Sequence, residues 1–312
     1  MHRVRFLIAI LSTLLCAACA SNSQPVESTR HEENVDAIIR PFSTGIDYYY
    51  LGCNRRALEY LREAHERATL ADDLRSVATT LNSIANVHLR IEDAPSAVRV
   101  YEEALDTYRQ IGDKSGMVRV LANQAAAFVL AGDLAKADER LDRADTSAGA
   151  GRVLIALRFK NRALIAMARK ENSTAENLLN MALSAADEDS EDRGAIHYSL
   201  GKLLMGLGRL SEAQAHLEQA VSIDRIHGMN HSLANDLALL GLCRARRDDH
   251  VGATAVLKRS MKIFALLQEG QRVRELLEPL KSSAIQARMD IEAILYWVQQ
   301  WLDGRTETNL CH

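Results

Sequence analysis

Arg119, Lys160 and Lys202 stand 41 and 42 residues apart, and the amides of Asn82, Asn86, Asn123 and Asn161 recur along the same stretch. A guanidinium or ammonium group makes charge-assisted hydrogen bonds to a carboxylate, and a side-chain amide can pair with both edges of an extended peptide backbone. Residues for covalent or metal chemistry are harder to find. His31-Glu32 and His65-Glu66 lack the second histidine of a helical zinc motif. His227 and His231 are four apart, but Gly228 between them predicts a turn, so they read as loop histidines. The run Asp187-Glu188-Asp189-Ser190-Glu191-Asp192 lacks the glycine and ligand spacing of a calcium loop and reads as a solvated connector. No glycine-rich phosphate loop follows a strand, and no serine or cysteine is marked by a positioned base. The expectation is a binding protein rather than an enzyme, with no metal and no cofactor.

The elements that must position these groups are announced by a repeat. An alanine, a large apolar residue four later and usually an alanine three after that recur as Ala57/Leu61/Ala64, Ala97/Tyr101/Ala104, Ala137/Leu141/Ala144, Ala175/Leu179/Ala182, Ala213/Leu217/Ala220 and Ala253/Leu257, with a weaker echo at Ala293/Trp297. The leading alanines are 40, 40, 38, 38, 40 and 40 residues apart. A stripe at i, i+4 and i+7 lies on one face of a helix, and alanine there lets a second helix approach closely. Twelve before each marker stands another small residue, Gly45, Ala85, Ala125, Ala163, Gly201 or Gly241, the reciprocal contact on a preceding helix; the seventh unit has Lys281 there. Gly52, Gly132 and Gly208 mark turns, and Asp93, Asp133, Asp249 and Asp290 fall where a carboxylate can cap the next helix. The predicted fold is all-α, a right-handed α-solenoid of stacked helix-turn-helix units sharing one elongated core. A composition of 47% hydrophobic residues, 5% aromatics and 4 prolines suits it.

Leu200-Gly201, Gly208, Ala213, Leu217 and Ala220, and the stretch Tyr101-Glu102-Glu103-Ala104-Leu105, resemble the tetratricopeptide repeat, in a long version of about 40 residues instead of the usual 34. The resemblance covers Pro41 to about Leu302: six repeats over 41–270, a divergent seventh pair or cap over 271–304 and a tail over 305–312. It implies that the first helix of each unit lines a concave groove where a partner protein or extended peptide lies. Projected onto this chain, the groove takes Asn82, Asn86, Arg119, Asn123, Lys160, Asn161, Met167, Tyr198, Lys202 and Met205. Family members use asparagine, lysine and arginine at such slots to clamp a carboxylate, and the methionines would form an adaptable apolar floor. None of the twenty projected slots in units two to six is acidic although the chain has 41 acids, so the groove is expected to be locally basic. Trp297 and Trp301, four apart, are expected to close the open end of the core.

The N-terminus carries a different signal. His2, Arg3 and Arg5 precede the apolar run Phe6 to Leu15, which is too short to span a bilayer comfortably, so 1–18 reads as an export signal. Cys16-Ala17-Ala18-Cys19 resembles the lipobox of bacterial lipoproteins, although Cys16 stands where that family usually has leucine. The resemblance implies a covalent lipid on Cys19 as the membrane contact, an outer-membrane location facing the periplasm, and a flexible tether over 19–40. Ala18-Cys19-Ala20 also fits ordinary cleavage after Ala20, which would leave a soluble periplasmic or secreted adaptor. Cys53, Cys243 and Cys311 remain; Cys53 and Cys243 fall in the first and sixth units of an elongated stack, so idle or buried thiols are expected rather than a bridge. A net charge of −3 argues against nucleic acid as partner. The functional expectation is an interaction scaffold of the bacterial cell envelope, an assembly factor of a pilus, secretion or outer-membrane machine by analogy. A peptide-sensing regulator of similar architecture is disfavoured by the export signal and by the lack of a DNA-binding domain. In cells fed radiolabelled palmitate, the chain should take up label and Cys19→Ala should not; equal labelling of both would remove the anchor.

Overall fold

The computed structural model describes residues 26–146, 152–306 and 311, so the export signal, Cys19 and the first part of the expected tether lie outside the described residues. Every regular element described is an α-helix: α1 (Val26–Leu51), α2 (Asn54–Leu70), α3 (Leu74–Arg90), α4 (Ala94–Gln110), α5 (Lys114–Leu130), α6 (Leu134–Thr146), α7 (Arg152–Ala168), α8 (Asn172–Ala185), α9 (Asp192–Gly206), α10 (Leu210–Ile226), α11 (Asn230–Arg246), α12 (His250–Leu266), α13 (Gly270–Ala287) and α14 (Glu292–Leu302). Residues 38–312 form one compact unit, and the packing that follows is within it. Helix α1 begins at Val26, so residues 26–40, expected to be part of a flexible tether, are helical. Polar residues there read as solvated chain, yet most are adequate helix formers, and buried Ile38 gives the helix an anchor on the core.

The unit of construction is a helix of 17 residues followed by a three-residue turn. Gly52, Asp72, Glu92, Gly112 and Gly132 have positive φ at 20-residue intervals, and Gly208, Gly228, Asp248 and Gln268 resume the count. At each such residue the helix ends by a left-handed turn: Glu92 N–H donates to the Leu89 carbonyl and Asp93 N–H to the His88 carbonyl, covering acceptors the helix leaves open. At five of these nine turns the next residue is an aspartate whose side chain caps the following helix. Asp73, Asp93, Asp113, Asp133 and Asp249 accept from the backbone N–H three residues on, at 2.9–3.1 Å.

The repeated alanine pattern is the core. Every residue of the six markers from Ala57 to Leu257 is 0% exposed. A Cβ added to Gly45, Gly201 or Gly241 would stand 2.8, 2.6 or 2.6 Å from Cγ of Leu61, Leu217 or Leu257, so each leucine fills the space left by the small residue twelve positions before its marker. The seventh unit departs from the pattern. Helix α13 runs 18 residues, Arg288 takes the left-handed turn directly after it, and three more residues precede α14, which shifts the register by one. Ile294 and Val298 are buried where Ala293 and Trp297 were expected; Lys281 pairs with Glu278, and Trp297 is 52% exposed instead of closing the core. Trp301 does pack there.

Successive odd helices from α3 to α13 touch one another, whereas among the even ones of that series only α12 and α14 do, so the odd helices line the tight inner side of a curved stack. The curvature brings the first corner back to the last units. Gly52, between α1 and α2, abuts Leu267 after α12 and His231 of α11. Glu92 in the α3–α4 turn meets Arg272 of α13 at 2.6 Å. Cys53 and Cys311, 258 residues apart, are joined by a disulfide with Cα atoms 4.9 Å apart. This corrects the expectation of idle thiols, which assumed an elongated stack with distant ends; Cys243 alone among the described cysteines is free, and it is buried. Because the bridge closes most of the chain into a loop, Cys53→Ser should lower unfolding free energy by about 2–5 kcal/mol in denaturant titration under oxidising conditions, and a reductant should bring the wild type down to the same midpoint.

Candidate functional site

The inner helices enclose two cavities of about 540 and 490 Å³ that share Lys160, Leu164, Ala195, Asp224 and Ser232 and so form one continuous chamber. The larger takes Asn82 and Asn86 from α3, Arg119 and Asn123 from α5, and Lys160 and Asn161 from α7. The smaller takes Lys160, together with Tyr198 and Lys202 from α9. Eight of the ten projected groove residues thus line the chamber, because a 40-residue period returns each to the same face of an inner helix. Met167 and Met205 instead pack between helices, Met205 in the core and Met167 against it.

Arg119, Lys160 and Lys202 make no ion pair or hydrogen bond with any described residue. Elsewhere arginines are tied up: Arg162 with Asp142 and Asp145, Arg209 with Glu176 and Glu212, Arg244 with Glu218. The asparagines are partly engaged. Asn123 Nδ2 donates to Asn82 Oδ1 at 3.3 Å and to Asn86 Oδ1 at 3.2 Å, and Asn86 Oδ1 also accepts from Tyr101 at 2.6 Å. Buried Asn161 donates to the Ala122 carbonyl at 2.7 Å, which fastens α7 to α5. The Nδ2 groups of Asn82 and Asn86 remain as donors on the wall.

The chamber also holds acids that a projection of helix faces misses. Glu191 and Asp192, the last two of the acidic run expected to be a solvated connector, line it, and Glu191 accepts from Tyr50 Oη at 3.1 Å across the interior. Burial and then Glu191 push the Tyr50 hydroxyl up to about 12. Asp224 of α10 and Asp236 of α11 are 3% and 1% exposed, and each carboxyl acts on the other's titration. A Cβ on Gly194 of α9 would lie 2.1 Å from Asp224 Oδ1, so that glycine makes room for the pair. Burial, and then the neighbouring Asp224 carboxylate, raise the Asp236 carboxyl to about 9; two carboxyls this close keep one proton between them. Their spacing on different helices left no sequence signal.

His227 and His231 do not converge. His227 caps the end of α10, and His231 Nε2 lies 3.2 Å from Glu269. Among the described residues no group of three histidine, cysteine, aspartate or glutamate side chains could hold a metal ion. His197 and His216 face each other with Nδ1 atoms 3.0 Å apart, and burial followed by His216 pushes His197 down to about 4.

In sequence, residues 44–110, 76–144 and 195–227 match the tetratricopeptide repeat. No curated protein matches the chain. Among solved structures, NprR in complex with its cognate peptide NprX is similar over 98% of this chain and 84% of its own, at 14% identity and a TM-score of 0.63. The Rap conjugation gene regulator of a plasmid, in complex with its Phr peptide, is similar over 96% and 84%, at 16% identity and 0.59. A Rap protein complexed with Competence and Sporulation Factor is similar over 80% and 76%, at 16% and 0.57.

The shared proton makes stability depend on pH with a definite sign. An aspartate in the unfolded chain loses its proton near pH 4, whereas the folded pair keeps one up to about 9, so the folded state binds the extra proton between those limits. Stability from this pair is present at low pH and lost as pH rises. The melting temperature should therefore fall between about pH 5 and pH 9, and Asp236→Asn, whose amide can donate to Asp224 without titrating, should flatten that fall.

Proposed function

We propose that this chain, whose residues 44–110, 76–144 and 195–227 match the tetratricopeptide repeat, is a non-catalytic interaction protein that holds an extended peptide, free or as a segment of a partner protein, in its inner chamber. The observation that carries this reading is the trio Arg119, Lys160 and Lys202, three cations on successive inner helices that face one chamber without an acidic partner. Arg119 and Lys202 are exposed, Lys160 is half-buried and none of them is tied to a counter-ion among the described residues, so all three are open to charge-assisted hydrogen bonds with a ligand that brings carboxylates. Donors on Asn82 and Asn86 suit the carbonyls of an extended backbone. The cavity volumes lie within the roughly 300–1,000 Å³ usual for ligand sites.

The setting we propose is the bacterial cell envelope, with the chain tethered by a lipid on Cys19 and the chamber presented to an envelope partner. The sequence of residues 1–19 and the Cys53–Cys311 disulfide, which suits an oxidising compartment, support it. Among the described residues no helix is long and apolar enough to cross a membrane. A second reading, a peptide-responsive regulator, draws on the likeness to NprR and Rap, whose structures hold peptides. In a pull-down from envelope extract, Arg119→Glu/Lys160→Glu/Lys202→Glu should retain the partner at least about tenfold less well than the wild type. An unchanged partner list from a folded triple variant would remove the chamber as the binding site.

A further inference from the structure

The Asp224–Asp236 pair is more than a buried curiosity of the α10–α11 contact, because both residues line the smaller cavity and Asp224 lines the larger as well. Asp236 is 1% exposed and its Oδ2 has no hydrogen-bond donor. An unsatisfied buried carboxylate oxygen is expensive, and a ligand cation would satisfy it. The cavity around it suits an organic cation better than a metal ion. The described residues supply no third acidic or histidine ligand, whereas Leu164, Ala195 and the ring of Tyr198 offer apolar wall for an alkyl stem.

We propose that Asp224 and Asp236 form a subsite for a basic side chain, lysine or arginine, of the bound peptide, an assignment that rests on the peptide-binding reading and adds a sequence preference to it. The ligand would then be mixed in charge, its acidic groups toward Arg119, Lys160 and Lys202 and one basic side chain seated on the carboxyl pair. Entry of the cation releases the proton held between the carboxyls to solvent, so binding tightens as pH rises. The charged and titratable groups around the pair are Tyr198 and Lys202 of α9, Glu191 before it, His227 after α10, Lys160 of α7, and Arg272 of α13, itself paired with Glu92.

Two probes on the full chain test this. Butylguanidinium, titrated against protein labelled with 13C at aspartate carboxyls, should shift both carboxyl signals and lower their titration midpoint, while butanol should not; Asp236→Asn and, independently, Asp224→Asn should abolish the effect. No response to butylguanidinium, or a response to calcium ion alone, overturns the assignment. A library of capped hexapeptides should show lysine or arginine enriched at one position by at least about tenfold, an enrichment lost in Asp236→Asn while binding persists. Peptides retained without a basic preference overturn the subsite and leave the chamber reading intact. If no peptide is retained while butylguanidinium still engages the pair, the subsite stands and the peptide reading falls.

Discussion

Close approach of two helices at a glycine or alanine, with a leucine filling the gap, is the contact on which the remaining structure depends. Leu61 over Gly45, Leu217 over Gly201 and Leu257 over Gly241 leave no room for a methyl group, and the flanking marker alanines have no exposed surface. Dispersion and apolar burial at such contacts fall steeply with distance, so a helix pair either closes fully or gains little. Each pair in turn offers an apolar face to the next pair, which is why the stabilisation accumulates along the stack instead of residing in one centre. The aspartate caps and left-handed turns set the length of each helix, and thereby the phase with which every inner face returns.

That phase has a consequence at the scale of the whole stack. A regular angle between units, summed over seven pairs, brings the α1–α2 corner against α11 and the end of α12. The Cys53–Cys311 bridge, the Glu92–Arg272 ion pair and the Tyr50–Glu191 hydrogen bond all join residues far apart in the chain. They turn an open groove into a bounded chamber. The buried Asp224–Asp236 pair acts there with less screening than a surface charge, whereas Arg119 and Lys202 stay exposed to solvent at the chamber wall.

The chamber is therefore mixed in charge rather than simply basic. Its cations come from helix faces, where a fixed period repeats them. Of its acids, Glu191 and Asp192 stand at the start of α9 and Asp224 near the end of α10, while Asp236 lies within α11. Gly194 is the quiet partner in this arrangement, since any side chain there would displace Asp224.

What the sequence by itself determined is everything that repeats. The marker alanines, the small residues twelve before them and the capping aspartates are local periodic signals, and they sufficed for the all-α stack and for placing eight groove residues on its inner side, because helical periodicity decides which side chains share a face. The register of the last pair was misjudged where a longer turn after α13 broke the period, and Trp297 was misplaced with it. Closure of the stack, the Cys53–Cys311 bridge and the carboxyl pair were decided only in the tertiary structure. Each depends on a small rotation per unit, set by side-chain packing between neighbours and summed over the stack, and no spacing along the chain encodes that sum.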